Sequence, residues 1–408
     1  MVKRLKSLIE KYWKTIVVAI LAFAIILIVV KWLILPGYSL AWTGFGDFTK
    51  PDSNYVPGKT LWDWMQLFII PIFLSIGVFL LNRSEREGER RRAEQHANLE
   101  REIATDRQQE AALQSYLDRI ADLLLGGKIR KQKNAQDVAR IRTLTVIRGL
   151  DKKRKGFILL FLQEAGLISA RQPIINLAGA NLRGAKLAGI TLEGINLSNI
   201  SFSDADLAES NLRKSNLSES DFTRANLYDA DLSDTDLSDS FMSYANLQDA
   251  YLVNADLHST DLTSANLSGA ELQGANLFEA LLVKANLSKA SLKESILNYV
   301  DLTEAVITEA DLSGANLFGT NLAKADLTRA KLREVQIPRN REIEEMTGEP
   351  ILTNLSEAIL IGADLTGVNL EGADLTDADL TGAKVTDEQL AISFSLKGTI
   401  MPDGRKHK

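Results

Sequence analysis

The sequence predicts an α+β chain in which a transmembrane helical hairpin and a charged helical stalk precede a β-solenoid. Three observations predict this fold: two long apolar segments near the N-terminus, a charged segment after them, and a large apolar residue at every fifth position from Leu177 onward. We expect the hairpin at residues 1–82 and the stalk with an N-terminal cap at 83–172. The solenoid is expected at 173–385, and a C-terminal cap and tail at 386–408.

The charge and the rare residue types exclude several classes of protein. Residues 1–172 hold 28 Lys and Arg against 17 Asp and Glu, whereas residues 173–408 hold 19 against 36. The chain has no Cys and only three His, which excludes disulfides and thiolate metal sites and disfavours a histidine-based zinc or catalytic site. The acidic half would also repel phosphates, so we expect no direct binding of nucleic acid.

Two segments, Thr15–Leu35 and Leu61–Leu81, are apolar over about 20 residues, the length of helix that spans the ~30 Å hydrocarbon layer of a bilayer. Basic residues precede the first segment and follow the second, while the loop at 36–60 holds only Lys50 and Lys59. The positive-inside rule therefore places both termini in the cytoplasm. A cleaved signal peptide is disfavoured, because the first apolar stretch is too long and no small-residue cleavage site follows it.

A charged stalk follows the second apolar segment. Residues 83–107 carry charges of both signs, as in a solvated helix that continues from the membrane. An apolar helical face is expected at 113–124, with further helices at about 135–150 and 157–168. The basic stretch Lys152–Lys155 is interpreted as a solvated turn. Five arginines next to the membrane are interpreted as contacts for anionic lipid headgroups: Arg83, Arg86, Arg90, Arg91 and Arg92.

The C-terminal half repeats with a period of five. From Leu177 to Ile337, 33 consecutive positions at this spacing are large and apolar, and 28 of them are Leu. On an α-helix each step of five residues turns by ~140°, so the leucines would spiral around all sides. On a straight strand, alternate leucines would point to opposite faces. They share one core only if the backbone turns a corner in each repeat, which makes a polygonal solenoid. Phe202, Phe222 and Met242, spaced by twenty, favour four sides.

Consecutive A-[D/N]-L-x-x units, such as Ala225–Asp229, resemble the pentapeptide-repeat family over about half of the chain. The resemblance implies a right-handed quadrilateral β-helix, in which the Leu and the preceding small residue point inward. N-terminal segments such as WTGFGDF and ARIRTLTVIRGLD are similar to those of membrane-anchored bacterial members. We therefore expect a multi-pass protein of a bacterial inner membrane or a thylakoid membrane. The resemblance implies no known biochemical activity.

The period of five is interrupted once and then resumes. Leu355 to Val385 continues the pattern after an insertion of 13 residues at 338–350. We interpret this insertion as a tolerated loop, with a short helix as the alternative. Thr386 is expected to cap a helix through Leu390, and the tail to cover the open end of the solenoid.

Few groups of residues in the sequence could catalyse a reaction or bind a metal ion. His258 and Ser259, near Asp256 and Asp261, look like a catalytic triad but occupy outward corner positions with no evident oxyanion donors. Asp236 and Asp256 would lie one coil apart on a four-sided solenoid, close enough to share a divalent cation, although a solvated ladder of acids is the favoured interpretation. We therefore expect no catalytic residue, no metal and no cofactor.

Large apolar side chains at outward positions form a candidate protein-docking patch, because the repeat needs only polar residues there. Phe278 and Phe318 share one column of the solenoid, and Phe241 and Leu281 share another. Isolated exposed apolar residues are also ordinary on protein surfaces, so both interpretations stay open. The candidate patch consists of Phe241, Tyr251, Phe278, Leu281, Val283 and Phe318.

The predicted function is that of a membrane-anchored, non-enzymatic scaffold that presents a rigid acidic rod to a cytoplasmic or membrane protein. Two alternatives stay open. One is a DNA mimic that regulates a topoisomerase, as the resemblance to soluble pentapeptide-repeat proteins allows. The other is an accessory subunit of a membrane complex that acts through its hairpin. The lipid bilayer is a further expected partner, and a homo-oligomer is compatible with the sequence.

Overall fold

A computed structural model describes residues 61–169, 173–337 and 352–408, with side chains from residue 71 onward. The chain divides into two compact units, Met1–Glu102 and Ile103–Lys408. Parallel β-bridges of single residues replace long strands in the repeat region. The helices in the described ranges are α1 (Leu61–Leu125), α2 (Lys128–Lys131), α3 (Lys133–Gly149), α4 (Lys152–Glu164) and α5 (Asp387–Ala391).

Helix α1 includes Pro71 and continues through the charged residues of the expected stalk. Within the described ranges, no helix combines the length and the apolar composition that crossing a bilayer requires. This finding does not support the expected span at Leu61–Leu81. The other expected span, Thr15–Leu35, and the loop at 36–60 lie outside the described residues.

In the second unit, the C-terminal part of α1 packs with α2, α3 and α4 around an apolar core. Tyr116 of α1 and Thr143 of α3 meet in this core, with their hydroxyl oxygens 2.8 Å apart. Burial raises the pKa of Tyr116, and the hydrogen bond with Thr143 lowers it by less. The net result is a pKa of about 12. The apolar side chains buried around this pair include Leu113, Ile120, Ile129, Ile147, Ile158, Leu159 and Leu162.

The basic stretch Lys152–Lys155 forms the first turn of α4. Lys152 and Lys153 are exposed, as a solvated turn requires, whereas Arg154 is half-buried and Lys155 is buried. Asp151 caps the helix by accepting hydrogen bonds from two backbone N–H groups, including that of Arg154 at 3.0 Å. The Arg154 guanidinium contacts Asp106 at 2.7 Å and Glu110 at 3.0 Å, both on α1. These opposite charges hold the start of α4 against α1.

Helix α4 also lies against the first coil of repeats. The backbone N–H of Lys186 donates to the carbonyl oxygen of Lys152 at 2.9 Å. The buried Lys155 donates through Nζ to the carbonyl oxygen of Arg183 at 3.3 Å. Gly156 permits this approach, because a Cβ there would lie 2.6 Å from the carbonyl oxygen of Lys186. The helix thus covers backbone groups that a bare solenoid end would expose.

The repeat region coils with a period of twenty residues, so each coil has four sides and the expected quadrilateral architecture is confirmed. A parallel bridge between Asn226 and Asn246 illustrates the ladder. The N–H of Leu227 donates to the carbonyl of Asn246 at 2.7 Å, and the N–H of Asn246 donates to the carbonyl of Ala225 at 2.9 Å. The leucines and the small residues between them are buried along the axis.

Each corner is a tight turn that follows the buried leucine. The N–H of Ala230 donates to the carbonyl of Leu227 at 3.1 Å, and Asp229 between them has a φ of 53°. A positive φ at this place is the pattern of a type II turn, which Gly, Asn and Asp adopt at the lowest cost. The five-residue unit therefore alternates a short extended side with a turn, as its period predicts.

Coils before and after the interruption remain in register. Bridges in regular coils join residues 20 apart, as between Asp301 and Asn321, whereas the next bridge on the same face joins Asn321 to Asn354 and spans 33 residues. The chain therefore takes 13 residues more than a regular coil at this point. Residues 338–351, and with them the choice between a loop and a short helix, lie outside the described residues.

The C-terminal residues fold onto the last coils. Thr386 and Gln389 form a capping box at the start of α5. The side-chain amide of Gln389 also donates to the carbonyl oxygens of Leu365 at 2.9 Å and Val368 at 2.7 Å. After α5, Ile400 bridges to the preceding coil and pairs antiparallel with a residue near the C-terminus. The tail therefore satisfies backbone groups at this end of the solenoid.

Candidate docking surface

The four sides of the solenoid define four faces, which we name by their bridge residues. Faces A, B, C and D begin at Asn181, Lys186, Thr191 and Asn196, and each recurs every twenty residues up to the insertion. Since the faces follow one another around each coil, A lies opposite C and B lies opposite D. All outward side chains can be placed on one of these faces or at a corner between two of them.

Of the six residues in the candidate docking patch, two lie together on face A. Phe241 is 55% exposed and Leu281 is 47% exposed, and Asp261 bridges to both from the coil between them. Tyr251 is 47% exposed but lies on face C, on the opposite side of the solenoid. Val283 is half-buried at the corner between faces A and B. The six residues therefore do not form one continuous surface.

Phe278 and Phe318 belong to an aromatic ladder at the corner between faces D and A. The ring of Tyr299 meets both edge-to-face, with centroid distances of 5.7 Å to Phe278 and 5.2 Å to Phe318. Phe318 is buried and Phe278 is half-buried. Such pairs contribute about 0.5–1.5 kcal/mol each beyond the area they bury. These rings stabilise the corner and leave less surface for a partner than the sequence suggests.

Tyr244 was not among the candidate residues, although it is 63% exposed and follows Phe241 around the corner toward face B. Its φ of 61° places it at the turn position that usually holds Gly, Asp or Asn. An aromatic residue at that position is the sequence signal that would have identified it. We use the name face A patch for Phe241, Tyr244, Asp261 and Leu281.

The carboxylate of Asp261 lies at the centre of the face A patch. It accepts hydrogen bonds from Ser243 Oγ at 2.7 Å and from the backbone N–H of Thr263 at 2.9 Å. Partial burial raises the pKa of Asp261, but hydrogen bonds from Thr263 and Ser243 outweigh this effect and leave the pKa below its ordinary value. The centre of the patch is therefore anionic at neutral pH.

The two edges of the face A patch differ in charge. Asp239 and Glu279 are exposed at the corner toward face D, where Asp239 also faces Nε2 of His258 at 3.9 Å. At the corner toward face B, the cations are already paired with acids. Arg224 contacts Asp204 at 2.8 Å, and Lys284 contacts Glu304 at 3.4 Å. The local surface thus keeps a negative balance around its apolar side chains.

The triad-like grouping at His258 has the wrong geometry for a general base. Its Nδ1 lies 3.0 Å from Asp256 Oδ1, and its Nε2 lies 3.9 Å from Asp239 Oδ2. The hydrogen bond to Asp256 raises the pKa of His258, burial lowers it, and the charges of nearby carboxylates raise it further. Because both ring nitrogens face carboxylates, neither is placed to take a proton from Ser259.

The pair Asp236 and Asp256 bridges neighbouring coils on face D. Asp236 accepts a hydrogen bond from Ser238 Oγ at 2.6 Å, and Asp256 accepts one from the side-chain amide of Asn276 at 2.9 Å. In the described part of the chain, no group of three or more acidic, His or Cys side chains has the arrangement to hold a metal ion. These hydrogen bonds place both carboxylates within the polar ladder of face D.

An open groove of about 680 Å³ lies between α1 and α3 in the second unit. Apolar side chains such as Ile141 and Val146 line it together with Arg119 and Arg142. Among the residues that the structure describes, no carboxylate or histidine lines this groove. It therefore lacks a pair of groups for acid–base chemistry.

The five arginines of the predicted lipid contact lie on α1 in the first unit. Arg83, Arg86, Arg90, Arg91 and Arg92 are all exposed. Arg83 forms an ion pair with Glu87 at 3.3 Å, one helical turn further on. The contact with lipid headgroups stays a prediction.

Comparison with protein-family models agrees with this geometry. The model described as pentapeptide repeats matches residues 175–199, 200–239, 242–277, 270–308, 285–322, 310–337 and 352–387. A search of curated proteins found no match.

The chain is also similar to solved structures, among which HetL and a protein from Arabidopsis thaliana are pentapeptide-repeat proteins. HetL, involved in heterocyst differentiation regulation in the cyanobacterium Nostoc sp. strain PCC 7120, is 36% identical over 61% of this chain and 98% of HetL, with a TM-score of 0.35. QnrB1, a plasmid-mediated fluoroquinolone resistance protein, is 16% identical over 52% of this chain and 90% of its own, with a TM-score of 0.27. A protein of the Arabidopsis thaliana thylakoid lumen is 27% identical over 30% of this chain and 68% of its own, with a TM-score of 0.17.

The period-twenty coil, the matched repeats and the 36% sequence identity across 98% of HetL lead to one conclusion. The chain belongs to the pentapeptide-repeat family.

Proposed function

We propose that the chain is a non-enzymatic scaffold whose repeat region binds another protein. The observation that carries this proposal is the exposure of Phe241 and Leu281 on a face where the repeat itself requires no apolar side chain. Exposed apolar residues grouped on a rigid surface are typical of docking sites. Nothing in the described residues points to catalysis, since the His258 cluster and the groove between α1 and α3 lack the required groups.

We also propose that residues 1–82 attach the chain to a bacterial inner membrane or a thylakoid membrane, with both termini in the cytoplasm. The apolar segment Thr15–Leu35 and its basic flanks support this location. Further support comes from α1, where large apolar side chains are exposed directly before the five arginines. These apolar residues are Ile72, Phe73, Leu74, Ile76, Val78, Phe79 and Leu81.

Protease protection in intact cells tests this topology. A reporter fused after Lys408 is expected to be active in the cytoplasm and protected from external protease. Digestion of the repeat region from outside the cell would contradict the proposed orientation.

The scaffold proposal is tested by quantitative affinity purification of the full chain in a mild detergent. We expect a specific protein to co-purify, and to remain when both apolar N-terminal segments are replaced by an unrelated membrane hairpin. Loss of that protein on replacement would favour the alternative in which the hairpin itself is the interface. Absence of any specific protein from both preparations would contradict the scaffold proposal.

The excess of acidic residues in 173–408 keeps DNA mimicry as a second candidate function. Ion pairs at intervals make the surface less uniformly negative than a phosphate backbone. Asp364, for example, contacts Arg333 at 2.8 Å and Lys384 at 3.4 Å. A supercoiling assay with a type II topoisomerase and the full chain separates the two functions: inhibition would favour mimicry, and unchanged supercoiling would favour the scaffold.

A further inference from the structure

We infer that the face A patch binds a basic amphipathic α-helix of a partner protein, lying along the axis of the solenoid. This inference rests on the proposed scaffold function and adds the chemistry of the partner. The patch presents two large apolar side chains, Phe241 and Leu281, on either side of the carboxylate of Asp261. Tyr244 extends the apolar surface at its corner.

The backbone of face A is already paired at the patch, so the described coils offer no groups there for the addition of a strand. The N–H of Phe241 donates to the carbonyl of Ser220 at 2.9 Å, and the carbonyl of Phe241 accepts from Phe222 at 2.6 Å. The N–H and carbonyl of Asp261 are paired in the same way with the neighbouring coils. A partner must therefore be recognised through side chains. Among peptide-recognition modes, a helix that presents its apolar side to a surface works in this way.

The spacing of the patch along the solenoid matches that of a helix. Phe241 and Leu281 lie two coils apart, which corresponds to about 9.6 Å at ~4.8 Å for each coil. Residues i and i+7 of an α-helix lie on the same side, about 10.5 Å apart. Residues i+3 and i+4 lie between them on that side, level with Asp261. A Lys or Arg there would meet the carboxylate.

The charge around the patch selects a basic helix over an acidic one. Asp261 lies at the centre, and Asp239 and Glu279 are exposed along one edge, where the two acids outnumber the single His258 that faces Asp239 at 3.9 Å. The cations Arg224 and Lys284 at the other edge already contact acids of this chain. Complementary charges of this kind favour association with the correct partner and repel a partner of like charge.

A synthetic peptide serves as the probe for this inference. It is a lactam-bridged, fluorescein-labelled helix of Ala and Gln with two leucines seven residues apart and two lysines between them on the same side. A control peptide of equal composition places the leucines nine residues apart, which turns them to opposite sides of the helix at 100° for each residue. Binding to the full chain in dodecyl maltoside is measured by fluorescence anisotropy, with detergent alone as the blank.

We expect the probe to bind at least about tenfold more tightly than the control peptide, a ratio equivalent to about 1.4 kcal/mol. The double variant Phe241→Ser/Leu281→Ser should lose this preference. Asp261→Asn should weaken binding of the probe and reduce its dependence on salt, because one ion pair is removed. Tyr251→Ser on face C removes an equally exposed side chain and should leave binding unchanged.

Equal binding of both peptides, or an equal loss in the face A and face C variants, would overturn the inference. Circular dichroism of each variant confirms that the solenoid is intact. The same double variant separates this inference from the scaffold proposal in affinity purification. If the co-purifying protein remains on the variant, the face A inference fails while the scaffold function stands. If no protein co-purifies with the wild type, the scaffold function itself fails.

Discussion

Two serines one coil apart should respond in opposite ways to replacement by Ala. Ser220 and Ser240 occupy the same inward position at the corner between faces D and A, and both are buried. The hydroxyl of Ser220 donates to the carbonyl of Leu197 at 3.0 Å and accepts from the backbone N–H of Ile200 at 3.1 Å. The buried hydroxyl of Ser240 has no hydrogen-bond partner within the described residues.

The expected magnitudes follow from these contacts. Ser220→Ala leaves the buried N–H of Ile200 without its partner, which costs about 1–3 kcal/mol of unfolding free energy. Ser240→Ala removes a hydroxyl that is buried without compensation, and burial of that kind costs about 1–3 kcal/mol in proteins. Ser220→Ala should therefore destabilise the solenoid, and Ser240→Ala should stabilise it. Both variants delete the same single oxygen, so each is the control for the other.

Urea unfolding of the full chain, followed by far-UV circular dichroism, measures the difference. At equal slopes, the midpoint should fall for Ser220→Ala and rise for Ser240→Ala. Equal losses in both variants would show that the hydroxyl of Ser240 is hydrogen-bonded. That result would refute the hydrogen-bonding pattern assigned to this corner.

Three further variants test other parts of the structure. Gly156→Ala should destabilise the chain by about 1–3 kcal/mol in thermal unfolding, because its Cβ would press on the first coil. Gly149→Ala, where a Cβ meets open space, is its control and should not destabilise. Tyr299→Ala should cost about 1–3 kcal/mol through the loss of two ring contacts, whereas Tyr299→Phe should be neutral in the same assay. The pKa of His258 is raised above its ordinary 6.5 in the folded chain. The contribution of His258 to the free energy of unfolding should be complete below pH 6.5. It should disappear as the pH rises through the pKa of His258 in the folded chain. The stability difference from His258→Asn, measured against pH, checks this; a difference that grows with pH would contradict the assignment.

The four-sided coil was predictable from the sequence because its cause is local. A buried leucine at every fifth position, as at Leu227 and Leu232, requires one corner for each repeat, and the spacing of Phe202, Phe222 and Met242 already indicated four. No long-range information was needed, since each coil contacts only its neighbours.

The start of α4 and the aromatic ladder were not predictable because their causes are contacts between distant or differently placed residues. The stretch Lys152–Lys155 looks like a solvated charge run until Arg154 is seen beside Asp106 and Glu110 on α1. Phe278 and Phe318 look exposed in the repeat frame. Tyr299 occupies the second outward position of the same corner. Its φ of 61° directs its ring between the rings of Phe278 and Phe318.

Site-specific photo-crosslinking in the native cells tests the docking surface most directly. A photoreactive amino acid replaces either Leu281 on face A or Tyr251 on face C. The two side chains are equally exposed and lie on opposite sides of the solenoid. We predict a discrete crosslinked protein from the Leu281 position, attached through a basic helical segment, and none from the Tyr251 position. Crosslinks of equal yield from both faces, or from face C alone, would contradict the account.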